Sequence, residues 1–512
     1  MCCACNKTEM NRREFLGVSA LGLVGATLLN THISADSVAE WNPDKPLKPS
    51  GEKIRVQPIL MYQIHKRVEA RSWRPWSGLH TEEDIGAEVQ RISNELKDLN
   101  EKADFPIQIL PVVTISSKEE AVKIEQNSGY DIPIIYAASG GGDILESCVS
   151  DKRNNLIFLR HRSGPIYLWY EIIHNRFLRK GGSEFELDSY RYPAGMNIHD
   201  VVVDDYDELL YKLKTLFGIK NFIGKRVVAL GGSGGWCCPL APKVAQDKFK
   251  LDIQSVSYDD LERRIKAARA ERKRVLKAEN STQKYLAISN TTLHTDKQFV
   301  INAFLLYDIF RDLMQEADTN VFTIKECMST VIPMSETTAC LPLSLINDEG
   351  LLAFCESDFN VIPSGILLHY LSGKPVFLND PTFPHAGIVT AAHCTAPRRM
   401  DGKNYALAKI VTHFESDYGA TPKVELPIGT ELTMICPDAS QKEWLGFKGT
   451  IEDNPFYDIC RSQYDIKIEG DWKKLLEEHR GFHWMMACGD YIQEMDYACR
   501  KLDLNWVNVS DA

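Results

Sequence analysis

Glu356 closes the apolar stretch GLLAFC, and Asp380 closes KPVFL two dozen residues later. An unpaired carboxylate at the mouth of a buried segment costs several kcal/mol, so each acid needs a basic or amide partner, or the two share a cation. His393 ends the run GIVTAA, and HRGFHWMMACGDY near the C-terminus supplies His479 and His483. Two carboxylates with one or two imidazoles, on different strands, suit a hard or borderline divalent ion. Mn2+ or Mg2+ fits such a set better than Zn2+, which favours more His or Cys. Taken singly, each residue also has a structural reading. Asp380 in NDPT has the spacing of a turn or cap residue, His393 that of a core histidine, and His483 that of a ring packed between Phe482 and Trp484. Glu356 resists such a reading, because no basic residue lies near it in sequence.

Bringing the two acids together asks for a helix over VIPSGILLHYLSG that joins two neighbouring strands. The surrounding chain supplies that alternation. From about residue 52, short apolar runs alternate with helical patterns, the signature of α/β layers. FPIQILPVV, DIPIIYAAS and NLIFLRH read as buried strands, and TEEDIGAEVQRISNELKDL carries one apolar stripe at Ile85, Val89, Ile92 and Leu96. A second α/β set follows the turn-rich GGSEFELDSYRYPAGMN. It includes a long helix over SYDDLERRIKAARAERKRVLKA that opens on a capping box, Ser257 with Asp260. From about residue 373 short strands separated by Pro and Gly predict an antiparallel sheet or barrel. The expected fold class is therefore α/β, with an N-terminal α/β domain over 52–190, a second over 191–372, and a β-rich, barrel-like domain over 373–512.

The 512 residues carry a net charge of −11, which argues against nucleic acid or anionic lipid as a main partner. NRREFLGVSALGLVGATLLN pairs Arg12 with Arg13 ahead of an apolar run too short and Gly-rich for a membrane span. This is the pattern of a twin-arginine export signal over 1–39, with a small-residue cleavage site at Ser37-Val38-Ala39. It predicts a periplasmic protein with no membrane span after processing. The 14 cysteines form neither a disulfide grid nor a CxxC…CxxC zinc pattern, and those in apolar runs, such as Cys340, Cys355 and Cys436, read as buried thiols. YAASGGGD and ALGGSGGW each follow a strand but match neither nucleotide-binding spacing, so tight turns are the simpler reading. Such turns still mark the rim where α/β proteins place ligands. Arg398-Arg399 is the one pair suggestive of a phosphate site, and surface placement or an intersubunit salt bridge is the simpler expectation.

ACLPLSLINDEGLLAFCESD, SGKPVFLNDPT, AAHCTAP, THFESDYG and FHWMMACGDY together resemble the L-fucose isomerase family and, more distantly, the L-arabinose isomerases. The similarity covers most of the chain in domain order and is densest from about Ala339 to Gly419. It implies two Rossmann-like α/β/α domains ahead of the β-rich domain, and Mn2+ held by Glu356, Asp380 and His483. His393 matches a further histidine near the metal in the arabinose-isomerase branch. The implied activity is aldose–ketose interconversion through a cis-enediol, with Glu356 and Asp380 as the acid–base pair. The resemblance also implies a trimer or hexamer in which a neighbouring subunit's first domain closes the active site. Trp484 and Trp236 are candidates to line the apolar face of a sugar. A non-catalytic periplasmic sugar-binding protein, and a metal-dependent epimerase or lyase on a modified sugar, are the alternative readings. The region beyond residue 373 is shorter than in typical fucose isomerases.

Overall fold

Runs of β-branched and aromatic residues, buried on both faces, build two parallel sheets. The computed structural model describes residues 40–47, 50–127, 129–170, 173 and 196–510. The export signal expected over 1–39 and most of the turn-rich stretch after residue 180 lie outside the described residues. The first sheet contains β1 (Ile54–Met61), β2 (Ile107–Ile109), β3 (Val113–Ile115), β4 (Ile132–Ala137), β5 (Leu156–Leu159) and β6 (Val201–Val203). Its order is β2-β1-β4-β5-β6, with β3 also on β1, and it takes in a strand beyond residue 190. Thr81 and Asp84 cap the helix Glu82–Lys102 reciprocally. That helix buries Ile85, Ile92 and Leu96 as its periodicity predicts, but it buries Glu88 where Val89 is expected. The reason is a partner distant in sequence: Arg160, fully buried, donates from Nε to Glu88 Oε1 at 2.6 Å.

The second sheet has β7 (Arg226–Leu230), β8 (Asp252–Val256), β10 (Val321–Ile324) and β11 (Leu352–Phe354), all parallel, in the order β11-β10-β7-β8. Between them, β9 (Thr291–Leu293) leaves to pair with β14 (Leu407–Val411), whose other neighbour is β15 (Thr421–Glu425). The long helix expected from Ser257 onward is two helices, Tyr258–Ala270 and Arg272–Leu286, divided at Glu271 by an extended backbone. Ser257 does cap the first, accepting from the Asp260 N–H, whereas the Asp260 carboxylate turns to Arg263 and Arg264.

The C-terminal region holds a closed barrel of six strands. They are β12 (Phe377–Pro381), β13 (Ile388–His393), β16 (Glu431–Pro437), β17 (Glu443–Asp453), β18 (Ser462–Ile468) and β19 (Trp484–Cys488). The order β16-β19-β12-β13-β18-β17 closes through β16–β17, and β20 (Asn505–Asn508) runs parallel to β17 outside it. Closure leaves these six strands no free edge. One compact unit, Glu40–Ala512, contains all three regions. The helix Ile362–Ser372 is buried on every side and joins β11 to β12. The sequence pattern predicts that it joins neighbouring strands; instead β11 belongs to the parallel sheet and β12 to the barrel. Glu356 and Asp380 therefore approach each other from two different sheets. Gly365 on this helix lets β19 come close: a Cβ there would lie 2.5 Å from Met485 Cε and 2.9 Å from a Phe354 ring carbon.

Candidate metal centre

Glu356 stands two residues past β11, with φ of 64°, and Ser357 follows at 46°. Two successive non-glycine residues in the left-handed region cost about 1–3 kcal/mol each. The glycine turn after β7 secures them. Gly234 N–H donates to the Ser357 carbonyl at 3.1 Å, Phe359 N–H donates back to Gly234 at 3.0 Å, and the Trp236 indole donates to Glu356 Oε2. The GGSGGW stretch is thus a tight turn that also fixes the geometry of an acid.

Barrel register supplies the other groups. Asn379 pairs with Trp484 across β12 and β19, so one step further along the chains Asp380 meets His483, while Asp380 pairs with Ala392 on its other side. His483 Nε2 lies 3.2 Å from Glu356 Oε2 and 3.2 Å from Asp380 Oδ1. His393 Nε2 lies 3.7 Å from Glu356 Oε1. Asp380, His393 and His483 offer ligand atoms that all lie within 4.8 Å of one another, and Glu356 reaches both imidazoles from the other side.

Both imidazoles are buried and aimed. His483 Nδ1 lies 2.8 Å from Asp358 Oδ2, and because a carboxylate only accepts, the ring carries its proton there and turns Nε2 to the centre. His393 Nδ1 contacts Thr395 Oγ1 at 3.1 Å, which directs its Nε2 the same way. Asp380 Oδ1, His393 Nε2 and His483 Nε2 are buried with no hydrogen-bond partner. Cis ligands of an octahedral ion with bonds of about 2.1 Å sit about 3 Å apart, close to the spacing here. Asp380, His393 and His483 therefore form a group that could hold a divalent cation, with Glu356 beside both imidazoles.

Electrostatics agree. Burial alone would lower both imidazoles, but the neighbouring carboxylates outweigh it. His393, through Glu356 and Asp380, is raised to about 10, and His483, through Asp358, Glu356 and Asp380, to about 9. Burial opposes the charge on Glu356, yet the two imidazoles hold its carboxyl well below the usual range. Burial pushes Asp380 up. Without a cation, protons on the imidazoles balance the acids.

The centre lies in a cleft of about 740 Å³ whose wall includes Trp236, Lys325, Glu415 and Phe482. Trp236 is 57% exposed and stacks on Phe482, with centroids 4.6 Å apart and planes at 12°. Trp484 does not line the cleft. It is fully buried, its indole donates to the Arg480 carbonyl, and it packs on Phe447 and His479. Side chains alternate faces along a strand, so with His483 turned to the centre its neighbour Trp484 turns away. His479 packs beside Trp484 and Phe383. Arg398 and Arg399, expected at the surface, are buried. Their N–H groups donate to Asp348 Oδ1 and their guanidinium groups to loop carbonyls, so they brace the fold.

Asp358, which faces His483 Nδ1, is a candidate site residue that the sequence alone does not single out. Its signal was a second acid two positions after Glu356 in CESD, which becomes legible only when His483 is known to face it. Among the described residues, no helix is long and apolar enough to cross a membrane. No family model and no curated protein matches the chain.

Proposed function

We propose that this protein is a metal-dependent sugar isomerase that interconverts an aldose and a ketose through a cis-enediol, and a divergent relative of the L-fucose isomerases. The observation that carries the reading is the convergence of Glu356 with three buried, unpartnered ligand atoms, on Asp380, His393 and His483, beside an open cleft. When bound, Mn2+ or Mg2+ would polarise the carbonyl and adjacent hydroxyl oxygens of an open-chain sugar and stabilise developing negative charge.

The chain's own groups do the rest. Glu356 and Asp380, each about a third exposed, reach the cleft from two sheets and flank the same imidazole. One removes the proton from carbon and the other serves the opposite end as acid, a division that adjacent-carbon proton transfer requires. Asp358 holds His483 in one tautomer. The Trp236–Phe482 pair offers a flat apolar wall for the C–H face of a sugar, and Lys325 offers a donor for hydroxyl groups. The proposal includes two Rossmann-like domains ahead of the barrel, export by the twin-arginine route to the periplasm, and a trimer or hexamer. Light scattering at micromolar concentration tests the last.

The function is tested by incubating Mn2+-loaded protein with a panel of aldoses and ketoses in D2O and following them by NMR. Aldose–ketose conversion with deuterium entering at the carbon beside the carbonyl supports it. Folded, metal-loaded protein that converts none of them refutes it. Saccharide binding insensitive to EDTA and to Glu356→Gln would instead establish a non-catalytic receptor, and a product of altered mass would establish a lyase.

A further inference from the structure

A second group of metal-binding side chains lines the same cleft, and the proposed isomerase chemistry uses none of it. Cys340 opens the helix Cys340–Asp348, Cys394 follows directly after β13, and His413 follows β14. All three are buried, exposed by 5% or less. The two sulfurs and one imidazole nitrogen lie within 4.8 Å of one another. Tetrahedral zinc with Zn–S bonds of about 2.3 Å sets sulfurs about 3.8 Å apart, so closing the group on an ion takes shifts of no more than about 1 Å. Ser416 Oγ lies 3.4 Å from His413 Nδ1, which leaves Nε2 as the ligand nitrogen.

A fourth ligand is at hand. Cys460 sits in the loop between β17 and β18, lines the cleft, and has its thiol beside that of Cys394. The Thr421 hydroxyl, otherwise without a partner, faces the Cys340 sulfur, the kind of outer donor that supports a thiolate ligand. Three ligands stand on regular elements or directly beside them, and the fourth stands on a loop that can adjust to the ion.

We propose that Cys340, Cys394, His413 and Cys460 form a second cation site, selective for Zn2+ and distinct from the carboxylate–imidazole centre. Ligand softness separates the two: oxygen and imidazole donors suit Mn2+ or Mg2+, whereas thiolates with one imidazole suit Zn2+. Zn2+ enters as each coordinating thiol releases its proton to solvent, so no oxidant or reductant is involved.

The test uses the whole protein, reduced and stripped with chelator, titrated with Co2+ as a spectroscopic stand-in for Zn2+. A thiolate-to-cobalt charge-transfer band that saturates at one equivalent is expected, as is its displacement by one equivalent of Zn2+. The band should persist in Glu356→Gln and in Cys327→Ser, and disappear in Cys340→Ser and in Cys394→Ser. Cys327→Ser is the informative control, because Cys327 and Cys355 form a separate thiol pair with sulfurs 3.8 Å apart. Absence of the band in reduced, folded wild-type protein overturns the proposal. So does a band that survives both cluster variants or vanishes with Cys327→Ser.

Discussion

Replacing Asp358 by asparagine changes one atom and removes the group that orients His483. Asp358 is buried and accepts three hydrogen bonds: His483 Nδ1 at 2.8 Å on Oδ2, and the Asn360 and Trp236 N–H groups at 3.1 and 3.3 Å on Oδ1. If the new amide keeps its oxygen toward the two N–H groups, its NH2 faces the imidazole. The ring must then accept at Nδ1 and carry its proton on Nε2, where it blocks the metal position. If the amide flips, its NH2 meets two N–H donors and both lose their acceptor, at about 1 kcal/mol or more each. Either outcome weakens the centre. Outer ligands of this kind are worth about 10–100-fold in metal affinity, or about 1.4–2.7 kcal/mol. Calorimetric titration of chelator-stripped wild type and Asp358→Asn with Mn2+ should show that loss, with Asp358→Glu recovering part of it. An unchanged Kd in folded Asp358→Asn would refute the orienting role and the assignment of Nε2 as the ligand atom.

Glu356→Gln and Asp380→Asn should each lower isomerase turnover by roughly 100-fold or more and cut bound Mn2+, as measured by steady-state assay and elemental analysis of the same samples. Metal should stabilise the folded chain: with free Mn2+ at about 100 times Kd the gain is about 2.7 kcal/mol, read by denaturant unfolding with and without EDTA. The gain should vanish in Glu356→Gln. His369 supplies a pH signature away from the centre. Burial holds it neutral and lowers it to about 4, and its ring sits between Ser50 Oγ at 2.7 Å and the Lys374 carbonyl at 2.8 Å. Because its folded pKa lies below the unfolded value, the unfolded chain takes up the proton first. This slice of stability is complete above about pH 6.5 and is lost as pH falls toward 4, to a total of about 3 kcal/mol. Unfolding curves at pH 7.5 and pH 4.5 should lie closer together in His369→Gln than in wild type; equal pH slopes would exclude this role.

Much of the centre was legible in the sequence because its acids break apolar runs. Glu356, Asp380, His393 and His483 each end or adjoin a buried strand, where a polar residue calls for an explanation, and both acids reach the imidazoles. The α/β alternation and the β-rich C-terminal region were likewise set by apolar periodicity. What escaped depends on contacts between distant segments. Nothing near Glu88 in sequence announces Arg160, so a charge on the buried face of its helix goes unread. The orienting role of Asp358 needs His483, and the thiol cluster needs three elements together. Trp484, a candidate to line the apolar face of a sugar, adjoins His483, and strand alternation turns such neighbours to opposite faces. The helix Ile362–Ser372 has apolar residues on all sides, a pattern that marks burial without saying which two sheets it connects.

The most direct measurement is anomalous scattering from crystals of the protein soaked in MnCl2. One strong Mn2+ peak bonded to Glu356, Asp380 and His483, with His393 alongside, is the expected result, and it should disappear in Asp380→Asn. A folded crystal saturated with Mn2+ that shows no peak among these four side chains would contradict the metal centre and the chemistry built on it.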